Sequence, residues 1–334
     1  MLTPAVRDLS RLPKAHLHLH LEGSMRPATL AELAAAAGTE PPALGAAGPF
    51  AEFGRRYDQA FVLVREGGPD VLRRLVREVV EDAAADGAVW VEPQVNPLAY
   101  ARTGAQGGAS EAEILNLVID EGRAVAGRLG IGFGVMVTAV RDRGPAVAVL
   151  LARLAARRAG DGVVAFGLAG DEALYPPEPF AEAFAVARGA GLMSVPHAGE
   201  HAGPDSVRAA LDLLGAHRIS HGVRAVEDPA LVARLAVEEV ALDICPTSNV
   251  LLGVARSLAE HPLPRLLDAG VRCTLNADDS LLFGPGLLAE YDNARTAIGL
   301  DDTRLAALAR CSLEASGAPR DLVDRALKDI DAWL

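Results

Sequence analysis

Residues 14–24 read KAHLHLHLEGS, three histidines at alternate positions followed by a carboxylate and a glycine. In an extended segment alternate side chains share a face, so His16, His18 and His20 project together while Leu17, Leu19 and Leu21 project away. At about 3.3 Å per residue, neighbouring histidines stand roughly 6.6 Å apart. Two imidazoles bridge such a gap through one metal ion at about 2.1 Å each. His16 and His20, about 13 Å apart, cannot share an ion. The spacing therefore leaves two pairs open, His16 with His18 or His18 with His20.

Burying several imidazoles on one strand without a partner is costly, which favours a ligand role over a row of core histidines. Other polar clusters follow later strand-like runs: SVPHAGEH (194–201), ISHGV (219–223), DICPTSN (243–249) and TLNADDSLLFG (274–284). Five of the eight histidines, His18, His20, His197, His201 and His221, lie at or beside these ends. A mononuclear catalytic metal needs three or four nitrogen or oxygen ligands and one position open to water. His18, His20, His197 and one of Asp278 or Asp279 supply such a set. Adjacent acids point in different directions, so one of the two is expected to bind and the other to cap a turn or face the site. Glu200, three residues beyond His197, suits a general acid or base at the mouth. HAGEH is not the metalloprotease helix, because that motif needs Glu directly after its first His and Gly203-Pro204 leaves little room for a helix.

These residues need a scaffold that gathers strand ends. Strand-like runs are predicted at His16–Leu21, Ala88–Pro93, Ile131–Val137, Val163–Leu168, Leu192–His197, Arg218–His221, Val240–Cys245 and Val271–Asn276. Helical patterns separate them at Gly68–Asp86, Glu111–Leu129, Pro145–Ala159, Pro179–Ala190 and Asp228–Val237. Eight such βα units fit an α/β (β/α)8 TIM barrel spanning residues 1–334 as one domain, with its site at the C-terminal strand ends. Nearly 70 residues separate the first two strands, more than a connection requires. GPFAEFGRRYDQAFVLV within them predicts a helical lid insertion after strand 1. A doubly wound sheet would carry a glycine-rich phosphate turn; GIGFG at Gly130–Gly134 runs into a strand instead.

Composition narrows the partners. Of 334 residues, 50% are hydrophobic, ample for a core, and the net charge of −12 repels phosphate backbones and anionic lipid. Neither nucleic acid nor membrane is expected as a partner, and the absence of an apolar leader run predicts a cytoplasmic protein. Cys245, Cys273 and Cys311, without a CxxC, predict reduced thiols.

Taken together, HLHLEG (18–23), AGDE (169–172), HAGE (197–200), SHG (220–222), CPTSN (245–249) and LNADDSLLFG (275–284) resemble the adenosine deaminase family of the amidohydrolase superfamily, in order and in spacing. The resemblance implies one Zn2+ per chain held by His18, His20, His197 and Asp278, Glu200 as proton donor to purine N1, and His221 and Asp279 positioning the water that attacks C6. It also implies that the Gly170 amide meets purine N3 and that Phe53, Tyr57 and Phe61 cover the base. Binuclear relatives use a carboxylated lysine; only Lys14 and Lys328 are present here. The HxE and PCxxC signature of other zinc deaminases is absent. The expected reaction is hydrolytic deamination of a 6-aminopurine nucleoside, adenosine or 2′-deoxyadenosine giving inosine or 2′-deoxyinosine and ammonia. Adenine and aminodeoxyfutalosine are the alternatives. Adenosine enzymes of the family carry Asp, facing the ribose 5′-hydroxyl, where this chain has Glu22, a departure that draws weight toward those alternatives. A barrel that merely bound a purine would have no use for Glu200, His221 and Asp279 beside the four ligands. His16, where many relatives carry Glu, is expected to be a buried, hydrogen-bonded histidine.

Overall fold

Strand and helix alternate in the computed structural model, which describes residues 7–101 and 108–334. Among the described residues ten strand segments form: β1 (Lys14–His16), β2 (Ala88–Val91), β3 (Gln94–Val95), β4 (Gly132–Phe133), β5 (Val135–Val140), β6 (Val163–Ala169), β7 (Met193–Ala198), β8 (Arg218–His221), β9 (Ala241–Ile244) and β10 (Cys273–Leu275). All their pairings are parallel. One sheet runs β10-β9-β8-β7-β6-β5-β3 and the other β1-β2-β4. Bridges Leu19–Asp278 and His20–Gln94 join them into a closed barrel.

Ten segments make eight barrel positions because two strands are broken by their own residues. Pro93, which has no N–H to give a ladder, separates β2 from β3. Gly134 separates β4 from β5, and a Cβ there would lie 2.8 Å from the Trp90 ring. The first strand also differs from the expected His16–Leu21. Its ladder stops at His16 because the side-chain oxygen of Asn276 accepts from the backbone N–H of both Leu17 (2.8 Å) and His18 (3.0 Å). Backbone pairing resumes only at Leu19 and His20.

Helices cover the outside of the barrel, as a parallel sheet buried on both faces requires. One contiguous cluster of buried apolar side chains extends from Leu9 to Ile330. Glu111–Leu129 takes the predicted bounds, fixed at its start by a Ser110–Glu113 capping box. Phe50–Ala85 joins the expected lid segment to the expected Gly68–Asp86 helix across a kink. Pro69 disfavours helical geometry in the residue before it, and Gly68 takes φ 74°, ψ −164°. Among the described residues no helix is long and apolar enough to cross a membrane. All three cysteines are buried and free.

Candidate active site

The barrel gathers His18 and His20 from the segment after β1, His197 from β7 and Asp278 from the turn after β10. One potential ligand atom from each lies within 4.8 Å of all the others. His16 is not in this group: its Nε2 accepts from the backbone N–H of Ala277 at 3.2 Å, and burial, aided by His18, holds it at about 3, hence neutral. Asp278 Oδ1 stands 3.1 Å from His18 Nε2 and 3.4 Å from His20 Nε2.

Two observations show that these residues fit a metal cofactor. Both ring nitrogens of His18 and Nδ1 of His197 are buried without a hydrogen-bond partner, an expensive arrangement unless an ion takes the lone pairs. The charge balance points the same way. Burial opposes protonation of His20, yet the carboxylates of Asp279, Asp278 and Glu22 outweigh it and raise it to about 9, which shows how much negative charge surrounds its ring. Nitrogen and carboxylate donors in this number suit Zn2+. Cys245 also comes near His18 and His221, but burial pushes its thiol well up and keeps it protonated.

The remaining acids divide the proton work. Burial, then the charges of Asp278, Glu172 and Asp279, pushes Glu200 well above the usual carboxylate range, so it holds a proton to give. Burial also raises Asp279, opposed by His20 and reinforced by Asp278. Asp278 goes the other way: the imidazoles of His18, His20 and His221 overcome its burial and keep it ionised. Asp279 sits at the start of the short Ser280–Phe283 helix but makes no side-chain cap bond. Its Oδ1 is buried and unpartnered, free for the site. Gly23 makes this possible, since a Cβ there would overlap Asp279 Oδ1 at 1.6 Å.

His221 and Asp278 both have left-handed backbones, at φ 65° and 60°. Non-glycine residues pay of order 1–3 kcal/mol for such geometry, and strain of this kind gathers at functional sites.

A cavity of about 320 Å³ opens over these groups, within the ~300–1,000 Å³ of small-molecule sites. His20, Glu22, Gly170, His197, Glu200, His221, Asp278 and Asp279 line it, and Phe53, Tyr57 and Phe61 reach it from the helix beginning at Phe50. Phe53 stacks on Phe283 at 5.1 Å and Phe61 lies against Tyr100 at 5.3 Å. Every anticipated site residue therefore belongs to the cluster or lines its cavity; His18 belongs to the cluster without lining the cavity.

Several partners were not anticipated. Glu172 of AGDE accepts from the backbone N–H groups of Gly199 (2.6 Å), Glu200 (3.0 Å), His201 (2.9 Å) and Ala202 (3.0 Å) and from the Ser206 hydroxyl, so it shapes the loop that presents Glu200. Ser248 donates to Asp278 Oδ2 at 2.7 Å. Tyr57 (2.8 Å) and Tyr100 both donate to the buried Glu22 carboxylate. Gln94 lines the cavity with a buried Nε2 that lacks a partner. Glu172 and Ser248 stand inside motifs that could have pointed to them; Tyr100 and Gln94 carry no such signal.

The adenosine deaminase family model matches residues 13–333. A Streptomyces virginiae protein provisionally assigned to adenosine/adenine deamination is 47% identical, over 98% of both chains. An adenine deaminase from Chelativorans is 39% identical over 91% of this chain and 94% of its own. An aminodeoxyfutalosine deaminase from Streptomyces avermitilis is 36% identical over 98% and 93%. Among solved structures, adenine deaminase from Arthrobacter aurescens superposes with a TM-score of 0.87 at 29% identity, covering 96% of this chain and 98% of that one. A zinc-bound amidohydrolase from Burkholderia ambifaria gives 0.85 at 26%, covering 97% and 92%.

Proposed function

Because this chain belongs to the adenosine deaminase family of hydrolytic deaminases, we propose that it removes the 6-amino group of a purine and that adenine is the purine it serves best. The observation that carries the reaction is a buried Glu200 facing the same cavity as a four-donor metal cluster. His18, His20, His197 and Asp278 would hold Zn2+, which when bound would supply the Lewis acidity that makes water a competent nucleophile near neutral pH. Glu200 hands its proton to N1, which makes C6 electrophilic, while Asp279 and His221 flank the attacking water. The Gly170 backbone N–H orients the ring at N3, and Phe53, Tyr57 and Phe61 cover the base and keep bulk water out.

Glu22 tilts the substrate from adenosine to adenine. Its carboxylate is only 4% exposed and is gripped by Tyr57 and Tyr100. An ionised carboxylate has about four acceptor positions, so two remain. Free adenine offers an imidazole N–H to such an acceptor; in a nucleoside N9 carries the sugar and has no proton. The adenine deaminases among the relatives support the same reading. A modified nucleoside such as aminodeoxyfutalosine is the second reading, favoured by the further polar side chains Asp58, Asp142 and Arg143 in the cavity lining. The test is an ammonia-release screen of adenine, adenosine, 2′-deoxyadenosine and aminodeoxyfutalosine with zinc-loaded protein. Adenine is expected to give the highest kcat/KM. A higher value for any nucleoside overturns the choice of base, and no release from any of the four overturns the reaction.

A further inference from the structure

Behind His221 runs a chain of hydrogen bonds that the reaction described above does not use. The backbone N–H of Leu263 meets Nδ1 of His261 at 3.1 Å. Nε2 of His261 meets Oδ1 of Asn249 at 3.2 Å, and Nδ2 of Asn249 meets Nδ1 of His221 at 3.3 Å. Both intermediate residues are buried, Asn249 completely. From this relay the geometry points to His261 and Asn249 as positioning residues that hold His221 in its Nε2–H tautomer, so that it meets the reacting centre as a hydrogen-bond donor.

The direction of each bond follows from its anchor. A backbone N–H can only donate, so Nδ1 of His261 is an acceptor and carries no proton. A neutral imidazole has one donor and one acceptor; the proton of His261 therefore sits on Nε2 and is given to Asn249 Oδ1. Burial holds His261 at about 4, so it stays neutral across the working range. The amide of Asn249 is thereby oriented. Reversing it would set an NH2 group against the Nε2–H of His261, donor against donor. Nδ2 of Asn249 then donates to Nδ1 of His221, whose own proton must be on Nε2.

That nitrogen faces the site, 3.6 Å from Glu200 Oε1 and 3.8 Å from Asp278 Oδ2. In the resting site His221 consequently has no free lone pair with which to take a proton from the attacking water; it can hold and polarise an oxygen by donation. One further feature anchors the relay: the backbone carbonyl of Asn249 accepts from Val254 (2.8 Å) and Ala255 (2.9 Å).

That the donated bond serves the reacting centre rests on the deamination reading above; the tautomer does not. The experiment is long-range 1H–15N correlation on metal-loaded, histidine-labelled enzyme, with the His221 signals identified by their loss in His221→Gln. The expected spectrum has His221 protonated at Nε2 and bare at Nδ1. Asn249→Asp cannot donate to Nδ1 and should invert the tautomer, lowering kcat about 10–100-fold, the usual cost of losing such a supporting partner, while KM stays near the parent value. His261→Leu should lower kcat likewise, and His261→Gln, which keeps a donor toward Asn249, should recover most of that loss. A parent His221 protonated at Nδ1, or an Asn249→Asp enzyme whose His221 tautomer is unchanged, overturns the proposal. Should Asn249→Asp not fold, the parent spectrum and the two His261 variants still decide it. Enzyme that turned over no purine would sink the deamination reading and leave the spectrum to judge the tautomer.

Discussion

The barrel encloses two clusters of buried polar side chains, built from similar residue types and partnered in opposite ways. In the lower one Arg218 donates to Asp243 (2.6 Å), Glu92 (2.8 Å) and the carbonyl of Ala315 (2.7 Å). Glu92 also accepts from Trp90 and Gly317, and Asp243 from Thr274. None of these side-chain atoms is left without a partner. In the upper one His18, His197, Glu200 and Asp279 each keep buried polar atoms unpartnered, and two residues hold left-handed backbones. Buried polar groups are nearly always satisfied, so a complete cluster marks structure and an incomplete one marks a place for a ligand. Asn276 joins the two: its Nδ2 donates to Thr274, and its oxygen holds the N–H groups of Leu17 and His18.

The sharpest way to break this contrast is to remove a ligand above. Asp278→Ala should abolish turnover and lose its metal, read as metal content after dialysis; a variant that kept a full equivalent would remove Asp278 from the ligand set. Next, Glu200→Gln should lower kcat by about 10²–10⁴, the usual value of a positioned acid, with metal content and Tm unchanged. Below, Arg218→Met leaves two buried carboxylates without their cation and should cost about 3–5 kcal/mol of stability in urea titration. Metal stoichiometry in the folded fraction should be kept, so loss of both together would merge the two clusters into one.

The smallest expected effect concerns pH. His261 has an ordinary value of 6.5 and is held at about 4 by burial. Between those values the unfolded chain binds a proton that the folded chain does not. Stability should therefore be full above pH 6.5 and decline as pH falls toward 4, by at most about 3 kcal/mol from this group. His261→Gln should make that part of the stability profile shallower, the other histidines that burial lowers keeping their share, whereas an unchanged slope would assign the acid sensitivity to them alone.

Much of the upper cluster was legible because its signals are local. Alternating histidines on one strand, acids in the turn after another and a glutamate three residues beyond a histidine can be read without knowing how strands pair. The eight strand positions were legible as well, since runs of buried apolar residues and their flanking helices repeat along the chain. The lower cluster gave no such sign. Glu92, Arg218 and Asp243 are single charges on three separate strands, and nothing in their spacing tells them from solvated ones. His261 was equally silent, being an isolated histidine in a connecting turn.

The chain's own pattern determined the fold class, the family and the group of residues from which a metal site could be drawn, because periodicity and motif spacing are properties of neighbours. Spacing alone left two pairs open in KAHLHLHLEGS and the family resemblance pointed to His18 with His20; the closed barrel supplies the physical reason that those two stand in the cluster. Asn276, 258 residues beyond His18, takes the N–H groups of Leu17 and His18, and Ala277 takes up His16. His20 is left with His18 beside Asp278. A hydrogen-bond partner is chosen by what closure of the barrel brings within 3 Å, and that distance is set by strands far apart in the chain.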